Sequence, residues 1–568
     1  MKKVVSLFFG MVMLVVFAAC SNGTDNPSET PTPTPEAGRK GTVQITIPAN
    51  AEAENSWLQM IKAYKQIPGN ENVTVKMTPF SDSASYTDWL TSTLASGVQN
   101  VSADIVVGDV AGQYMKTHFV DLLPYLSTPN PYASNAEWKS VFEQAAYRTY
   151  SSESALYTLS ADTTQVFFVY RKDLFAHFGK DVPETWDELE ELCDFFSKTQ
   201  VYGRPEKTYI PLALGGNPSA MGLPIGWLMR IYGDQYFRNY ADIAHAQSTD
   251  YAYDPMVDAD WSYKPNLSDY TGTDAEKKLA AVNLDNPESY TANVLRAYSE
   301  YFSEGGQNHK HAKYMDILEN MKAVIGNPAY MVPDYPNSGY GAALGYFYAD
   351  EAVMTVAATD FISAYAAQKG ITPEEALETD LGVFYAPPMT DNPSVPGGAP
   401  DVNYTRMLGG PNGFFSVVNK STAQTELVMD FMKYVFSAQG QQIRINYLSD
   451  NKYIITGTLL VKGVTVPTRL NTVLQGVLPT DNAYFGEADF NPFVLIDSGL
   501  RTYTGLSQSH TQEAYKTALH DYLIKKAITK ETFGTTVYNS MQQYFPSFLD
   551  QIGYRADCLN DVTKNPLI

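Results

Sequence analysis

Between Thr42 and Val107 the hydrophobic period switches repeatedly between two and about 3.6 residues. Thr42 to Pro48 alternates apolar and polar residues, as a strand does. Ser56 to Tyr64 then sets Trp57, Met60, Ile61 and Tyr64 at helical spacing. Val73 to Met77 reads as a second strand and Tyr86 to Leu94 as a second helix. Ala103 to Val107 is an apolar run closed by Gly108 and Asp109, which predicts a buried strand with a loop at its carboxyl end. Strand, helix, strand, helix, strand leaves few solutions, because parallel neighbours need a crossover long enough to hold a helix. The expected fold is therefore α/β with a parallel sheet. Ligands of such sheets bind outside the carboxyl ends of the strands, which puts the loops around Asn55, Ser81 and Asp109 on one rim.

The pattern continues beyond this unit. Val166 to Tyr170 is a strong β run. Trp186 to Lys198 is a predicted helix whose start, Thr185 followed by Glu188, fits a capping box. Residues 245–290 are rich in Asp, Tyr, Asn and Pro without periodicity and read as a loop-rich insertion. Helical patterns return at 289–304 and 312–325. Glu351 to Ala357 and Leu381 to Tyr385 are further strands, and Phe414 to Val418 is another after the Gly409–Gly413 turn. A helix is expected from Ala423 to Phe436. No fixed-period repeat is visible.

The first residues speak about location. Lys2 and Lys3 precede the apolar run Val4 to Phe17, which is shorter than the roughly 20 residues a membrane span needs. Ala18, Ala19 and Cys20 follow, resembling a bacterial lipobox, with Phe17 where an aliphatic residue is usual. That resemblance implies that Cys20 becomes a lipidated N-terminus; a plain secretory signal with an incidental cysteine is the other reading. Residues 21–41 are dominated by Ser, Thr, Pro and Gly and suit a solvated tether. Beyond residue 41 no stretch is long and apolar enough to span a bilayer.

Lys and Arg number 40 against 62 Asp and Glu, for a net charge of −22, which repels a phosphate backbone and argues against nucleic acid as a partner. Aromatic residues make up 13% of the chain, compatible with a carbohydrate- or peptide-facing surface. The three cysteines cannot build a disulfide framework; Cys193 sits on a predicted helix among apolar neighbours, and whether it pairs with Cys558 is left open.

Several segments resemble the family 1 extracellular solute-binding proteins of ABC importers. Phe167-Phe168-Val169-Tyr170-Arg171-Lys172-Asp173-Leu174-Phe175, then Gly179 and Val182-Pro183-Glu184-Thr185-Trp186-Asp187-Glu188-Leu189, match the family's strand, turn and helix start, with Arg171 in place of the usual Asn. Ala103-Asp104-Ile105-Val106 before Val120 to Leu126, Glu351 to Met354, Leu381-Gly382-Val383 before Pro387-Pro388, and Gly409-Gly410 before Phe414 to Asn419 follow in the family's order. The matches run from about residue 42 to 440; the last 130 residues carry no such motif.

The resemblance implies a two-lobe, periplasmic-binding-protein-like fold of the class II type, with discontinuous lobes joined by a hinge. It places the N-terminal lobe at residues 42–162 and 350–405 and the C-terminal lobe at 163–349 and 406–568, with residues 1–19 a signal peptide and 20–41 the lipidated cysteine and tether. Crossings are expected near Ser160–Thr164, Tyr348–Glu351 and Asn403–Gly409. The implied activity is capture of a carbohydrate, an oligosaccharide by the size and aromatic content, in an interlobe cleft. Delivery goes to ABC permease subunits, from a monomer anchored outside the cytoplasmic membrane. Both a Gram-positive surface and a Gram-negative periplasm fit.

Sugar hydroxyls and flat C–H faces call for carboxylates, amides and aromatic faces. The ligand-binding candidates are Asp109, Asp162, Thr163, Trp227, Asp360 and Phe361, with Asn55, Trp57, Ser81, Asp82, Asn217 and Asn412 added by rim position. Each has a plainer role available: turn or helix cap for Asp109 and Asp360, hinge turn for Asp162 and Thr163, core packing for Trp227 and Phe361. Tyr484 and Phe485 are a further aromatic platform or loop anchors. His309 and His311 lack carboxylate or thiol companions, so no metal and no cofactor are expected. The competing classes are a secreted glycoside hydrolase-like enzyme, which needs two carboxylates at a fixed gap, a peptide-binding receptor, and a surface adhesin. No G-x-S-x-G, His-Glu-x-x-His or Walker sequence is present, and the ordered matches favour a binding protein over an enzyme.

Overall fold

The computed structural model describes residues 38–48, 51–80, 83–108, 112–142, 151–152, 155–237, 243–256, 258–261, 293–387, 389, 408–413, 415–457, 459–470, 509–551, 554–558 and 561–566. Its two larger sheets are built from β1 (Lys40–Ile47), β2 (Asn72–Pro79), β3 (Ile105–Val107), β4 (Asp162–Arg171), β5 (Ile210–Leu212), β6 (Ala352–Ala358), β7 (Leu381–Phe384), β8 (Leu408–Asn412) and β9 (Phe415–Val417). The helices used below are α1 (Ala51–Gln66), α2 (Ser83–Ala95), α3 (Trp186–Lys198), α4 (Ile225–Phe237), α5 (Val294–Phe302), α6 (Ala312–Val324), α7 (Tyr340–Tyr348), α8 (Asp360–Lys369), α9 (Thr422–Val435), α10 (Ala438–Asp450), α11 (Ser509–Leu523) and α12 (Lys530–Gln551).

The first sheet has the order β9-β3-β1-β2. β1 runs parallel to both β2 and β3, with Ile45 opposite Met77 and Ile105. This is the βαβαβ unit expected from the alternating periods, with α1 and α2 as its crossovers. Val43, Ile45 and Ile47 pack with Trp57, Met60, Ile61 and Tyr64 of α1 and with the apolar side of α9. Asp104 ties three elements together: its Oδ2 accepts from the Gln44 amide at 2.8 Å and from Gln424 Nε2 at 3.1 Å. Lys420 Nζ donates to the Val101 carbonyl nearby.

The second sheet has the order β5-β6-β4-β7, and β8 also pairs with β4, beside its first half. β4 is its central strand. Val166 and Phe168 point into one core while Phe167 and Val169 point into another, so an unbroken apolar run is what a strand covered on both faces requires. α3 covers one face through Trp186, Leu189, Leu192, Cys193 and Phe196. The expected capping box is formed: Thr185 Oγ1 accepts from the Glu188 amide at 3.2 Å, and Glu188 Oε2 accepts from the Thr185 amide at 3.3 Å. Arg171, the departure from the family pattern, bonds Asp173 at 2.7 and 2.9 Å and also Asp350, which Lys369 bridges at 2.7 Å. The end of β4 is thereby tied to the entry of β6.

The sheets correct the expected lobe boundaries. β6 and β7 lie within 350–405, assigned above to the first lobe, yet both pair antiparallel with β4 in the second sheet. β9 and α9, assigned to the second lobe, pack on the first through Val417, Val428, Phe431 and Val435. The chain passes between lobes at Leu159–Asp162, since Leu159 bridges Phe415 while Asp162 opens β4. It returns between Asn412 and Phe415. Tyr348 stays in the second lobe, stacked on Phe361 at 5.7 Å, so no passage occurs near Tyr348–Glu351. A further link follows α10: Ile454 and Ile455 belong to the second lobe's core, and Leu460 and Val461 to the first lobe's.

α11 and α12, from the stretch without motifs, belong to the second lobe. Leu519, Tyr522, Phe533, Val537 and Met541 are buried in one core with Phe168, Val356 and α6. Cys193 and Cys558 are both buried free thiols, and burial pushes the Cys193 thiol above its ordinary range. Among the described residues no helix is long and apolar enough to cross a membrane.

Candidate functional site

Strand direction determines where the site lies. In the first sheet Val107, at the carboxyl end of β3, stands opposite Phe415, just after the return passage. In the second sheet the Thr359 amide donates to the Gln165 carbonyl at 3.0 Å, and the Gln165 amide donates to Thr359 Oγ1 at 3.2 Å. The carboxyl end of β6 thus meets the start of β4, three residues from the first passage. β5 is parallel to β6 and delivers Gly215, Gly216 and Asn217 to the same end. The carboxyl ends of both parallel sets face the passages between lobes, the position at which such sheets bind ligands.

Of the candidates, Asp360 and Trp227 keep access to solvent near this end of the second sheet. Asp360 opens α8 directly after Thr359, and its side chain is exposed. Burial of its surroundings nonetheless pushes its carboxyl above the usual range, against the opposing pull of its own amide and that of Phe361. Both facts hold for a carboxylate in a concave wall: water reaches it, but protein fills most directions around it. Tyr340 and Tyr348, at the two ends of α7, lie close enough to feel its charge. Burial first, and Asp360 second, hold the Tyr340 and Tyr348 hydroxyls above the usual tyrosine range. Tyr340 donates to the Val356 carbonyl at 2.9 Å, which fixes its ring beside β6. Trp227, half-buried on α4, meets Tyr340 edge to face with ring centroids 6.2 Å apart. Four residues before Trp227 in the chain, Leu223 is 47% exposed.

Other candidates turn out to be structural. Trp57 is 5% exposed and packs at 5.2 Å on Phe415 in the first lobe's core. Phe361 is also 5% exposed, wedged between Phe347 and Tyr348. Thr163 is buried, with Oγ1 accepting from Gln165 Nε2 at 3.3 Å and its carbonyl accepting from Thr456 Oγ1 at 2.7 Å. Asp162 is bound by Arg444. Asn412, opposite Asp162 in the ladder, donates to Thr456 Oγ1 at 3.4 Å. Thr163, Asp162 and Asn412, with Thr456 and Arg444, thus bond to one another across the passages. Asn217 caps the turn Pro218–Met221, accepting from the Ala220 amide at 3.1 Å. Asn55 is half-buried near the start of α1. Asp109, Ser81, Asp82, Cys20, Tyr484 and Phe485 lie outside the described residues.

Tyr340 and Tyr348 were missed in the sequence because they fall between the helical pattern ending at 325 and the strand expected from Glu351, where no element was predicted. Their signal is two tyrosines bounding a Gly- and Ala-rich helix immediately before an apolar strand. His309 is buried with Nδ1 2.6 Å from Tyr301 Oη, and His311 caps α6. Among the described residues no group of His, Cys, Asp and Glu is arranged to hold a metal. A cavity of about 600 Å³ lined by Lys207, Tyr335, Tyr346 and Glu351 sits at the amino end of β6, away from this wall.

The family of bacterial extracellular solute-binding proteins matches residues 59–456. The chain belongs to that family. Its members are extracellular binding proteins, which places the chain outside the cytoplasm and makes binding its shared activity. No curated protein matches the sequence. Among solved structures, a chitin oligosaccharide binding protein is 16% identical over 89% of this chain and 99% of its own, with a TM-score of 0.50. A protein from work on xylan utilization by the thermophilic bacterium Caldanaerobius polysaccharolyticus is 15% identical over 88% and 99%, with a TM-score of 0.49. A solute-binding protein in complex with raffinose is 15% identical over 90% and 100%, with a TM-score of 0.47. At such identities the likeness concerns the fold, and the first of them supports the two-lobe architecture of this solute-binding protein.

Proposed function

We propose that this solute-binding protein captures a carbohydrate, an oligosaccharide by preference, between its lobes and hands it to the permease of an ABC importer. Lobe closure traps the ligand by the hinge motion for which periplasmic binding proteins are a general example. Cys20 anchors the chain by lipid, and residues 21–41 hold the body off the membrane. The observation that carries the sugar reading is the wall made by Asp360, Trp227 and Tyr340 at the passage end of the second sheet. A carboxylate accepts from sugar hydroxyls while ring faces cover C–H surface, and together they orient a pyranose. The structural relative named for chitin oligosaccharide makes glycans the first ligands to try.

The test is a melting screen of the full-length protein in detergent against a glycan and peptide panel, with each glycan chromatographed afterwards. A ligand that binds the folded state alone raises the melting temperature. A saturable rise with the glycan recovered intact is the expected result. Recovery of cleaved glycan turns the reading to an enzyme, and a rise with peptides alone turns it to a peptide receptor.

A further inference from the structure

We infer that residues 438–470 form a brace across both lobes, which holds them in the arrangement described here. Closure over a solute works against this brace, so solute affinity is set in part far from the ligand. The inference rests on the lobe-closure reading above and adds a regulating element to it. The amino end of α10 belongs to the first lobe. Phe436, just before it, is buried in that lobe's core, α10 lies along α1, and Ile443 packs on the same core. The carboxyl end belongs to the second lobe, where Ile445 and Leu448 are buried with Phe167, Val169 and Phe361. One helix therefore enters both cores, and between its ends Arg444 grips Asp162 at the passage. A hydrogen-bond relay runs along it. Gln441 Nε2 donates to the Val435 carbonyl of α9 at 2.8 Å, and Arg444 Nε donates to Gln441 Oε1 at 2.8 Å.

The segment 459–470 spans the lobes as well. The Leu460 amide donates to the Ala161 carbonyl at 2.7 Å and the Lys462 amide to the Val141 carbonyl at 2.8 Å. Leu460 and Val461 are buried in the first lobe's core. Val464 packs on both cores, and Leu470 is buried in the second. Two bonds fasten this segment to the middle of α10: Gln442 Nε2 donates to the Thr465 carbonyl at 2.9 Å, and the Thr465 amide donates to Gln442 Oε1 at 2.8 Å. Arg469 adds a bond to the Ser449 carbonyl at 3.0 Å. From Gln441 to Asp450, α10 contains neither Pro nor Gly, residues at which helices kink. Close-packed cores do not deform smoothly either. A rotation of one lobe about the passages must therefore unseat α10 or its companion segment at one end.

Distances between paired spin labels test this on the full-length protein in detergent. The labels sit on Thr91→Cys in the first lobe and Glu191→Cys in the second, both exposed positions. The loosened variant is Gln442→Ala/Ile443→Ala, with Gln442→Ala alone as a milder form. Leu94→Ala, a buried position of α2 within the first lobe, controls for lost packing. Without solute, the unaltered protein and Leu94→Ala should each give one narrow distance, and the loosened variant a broader distribution. A glycan that raises the melting temperature in the screen should bind the loosened variant on the order of threefold or more tighter, because less of its binding free energy goes into rotating the lobes. Should the double variant fail to fold, Gln442→Ala decides by the same readouts. A loosened variant with the unaltered distance distribution overturns the brace, as does equal broadening in Leu94→Ala. Unchanged or weaker glycan binding overturns it too. The solute-capture reading fails separately, if no glycan or peptide moves the distance in any of these proteins; the distributions without solute still decide the brace.

Discussion

Both terminal nitrogens of Arg444 lie 3.1 Å from Asp162 Oδ2. This pair fastens α10 to the first residue of β4, where the chain passes from one lobe to the other. Both side chains are largely buried, 14% and 15% exposed, so neither has water in place of its partner. Arg444→Met strands a carboxylate and should cost about 1–3 kcal/mol in urea unfolding. The double variant Asp162→Asn/Arg444→Met should recover part of that loss. A single variant as stable as the unaltered protein would show the pair to be incidental.

His309 makes acid stability measurable. Burial lowers its imidazole to about 3, while in the unfolded chain it titrates near 6.5. Below that value the unfolded state holds the extra proton, so stability is full above about pH 6.5 and falls as pH drops toward 3. At pH 4.5 the loss from this one group is on the order of 2 kcal/mol. His309→Gln, though less stable at neutral pH, should show a flatter decline between pH 6.5 and 4.5 in denaturant titrations. An equal slope in both proteins would assign the acid sensitivity elsewhere.

The last helices are tested by Phe533. It is fully buried in α12 against Tyr314 and Tyr515, within the core that holds β4 and β6. Phe533→Ala should cost about 3–5 kcal/mol and shift the second lobe's unfolding as one transition. Loss confined to a separate, earlier transition would make α11 and α12 an appended unit instead.

The sequence carried the elements well where local rules dominate. The Thr185–Glu188 box announced α3, and the two alternating periods announced β1 to β3 with their helices. The rim followed from topology, since carboxyl ends of parallel strands share one side. What the sequence did not carry was partnership. The apolar run of β6 says that it is buried, not that it lies beside β4 rather than β1, and the lobe boundary was misplaced for that reason. Trp57 and Phe361 show the same limit at the site: an aromatic ring on a helix packs equally well inward or into a cleft until its neighbours are known. Tyr340 and Tyr348 were hidden because their closeness to Asp360 is made by the fold, with the whole of β6 between them in the chain.

That distinction between inward and cleft-facing rings yields the sharpest test of the wall. Phe361 is wedged into the core by Phe347, Tyr348 and Tyr365, so Phe361→Ala leaves a cavity and should cost about 3–5 kcal/mol of stability. Trp227 is half-buried at the margin of the core and meets Tyr340 edge to face, so, compared with Phe361→Ala, Trp227→Ala removes accessible ring surface and less core. It should melt within a few degrees of the unaltered protein while binding the responding glycan on the order of tenfold more weakly. Phe361→Ala, wherever it stays folded, should keep more of the affinity than Trp227→Ala does. The reverse order, with affinity tracking Phe361 and stability tracking Trp227, would move the ligand to the other side of α8 and dissolve the wall described here.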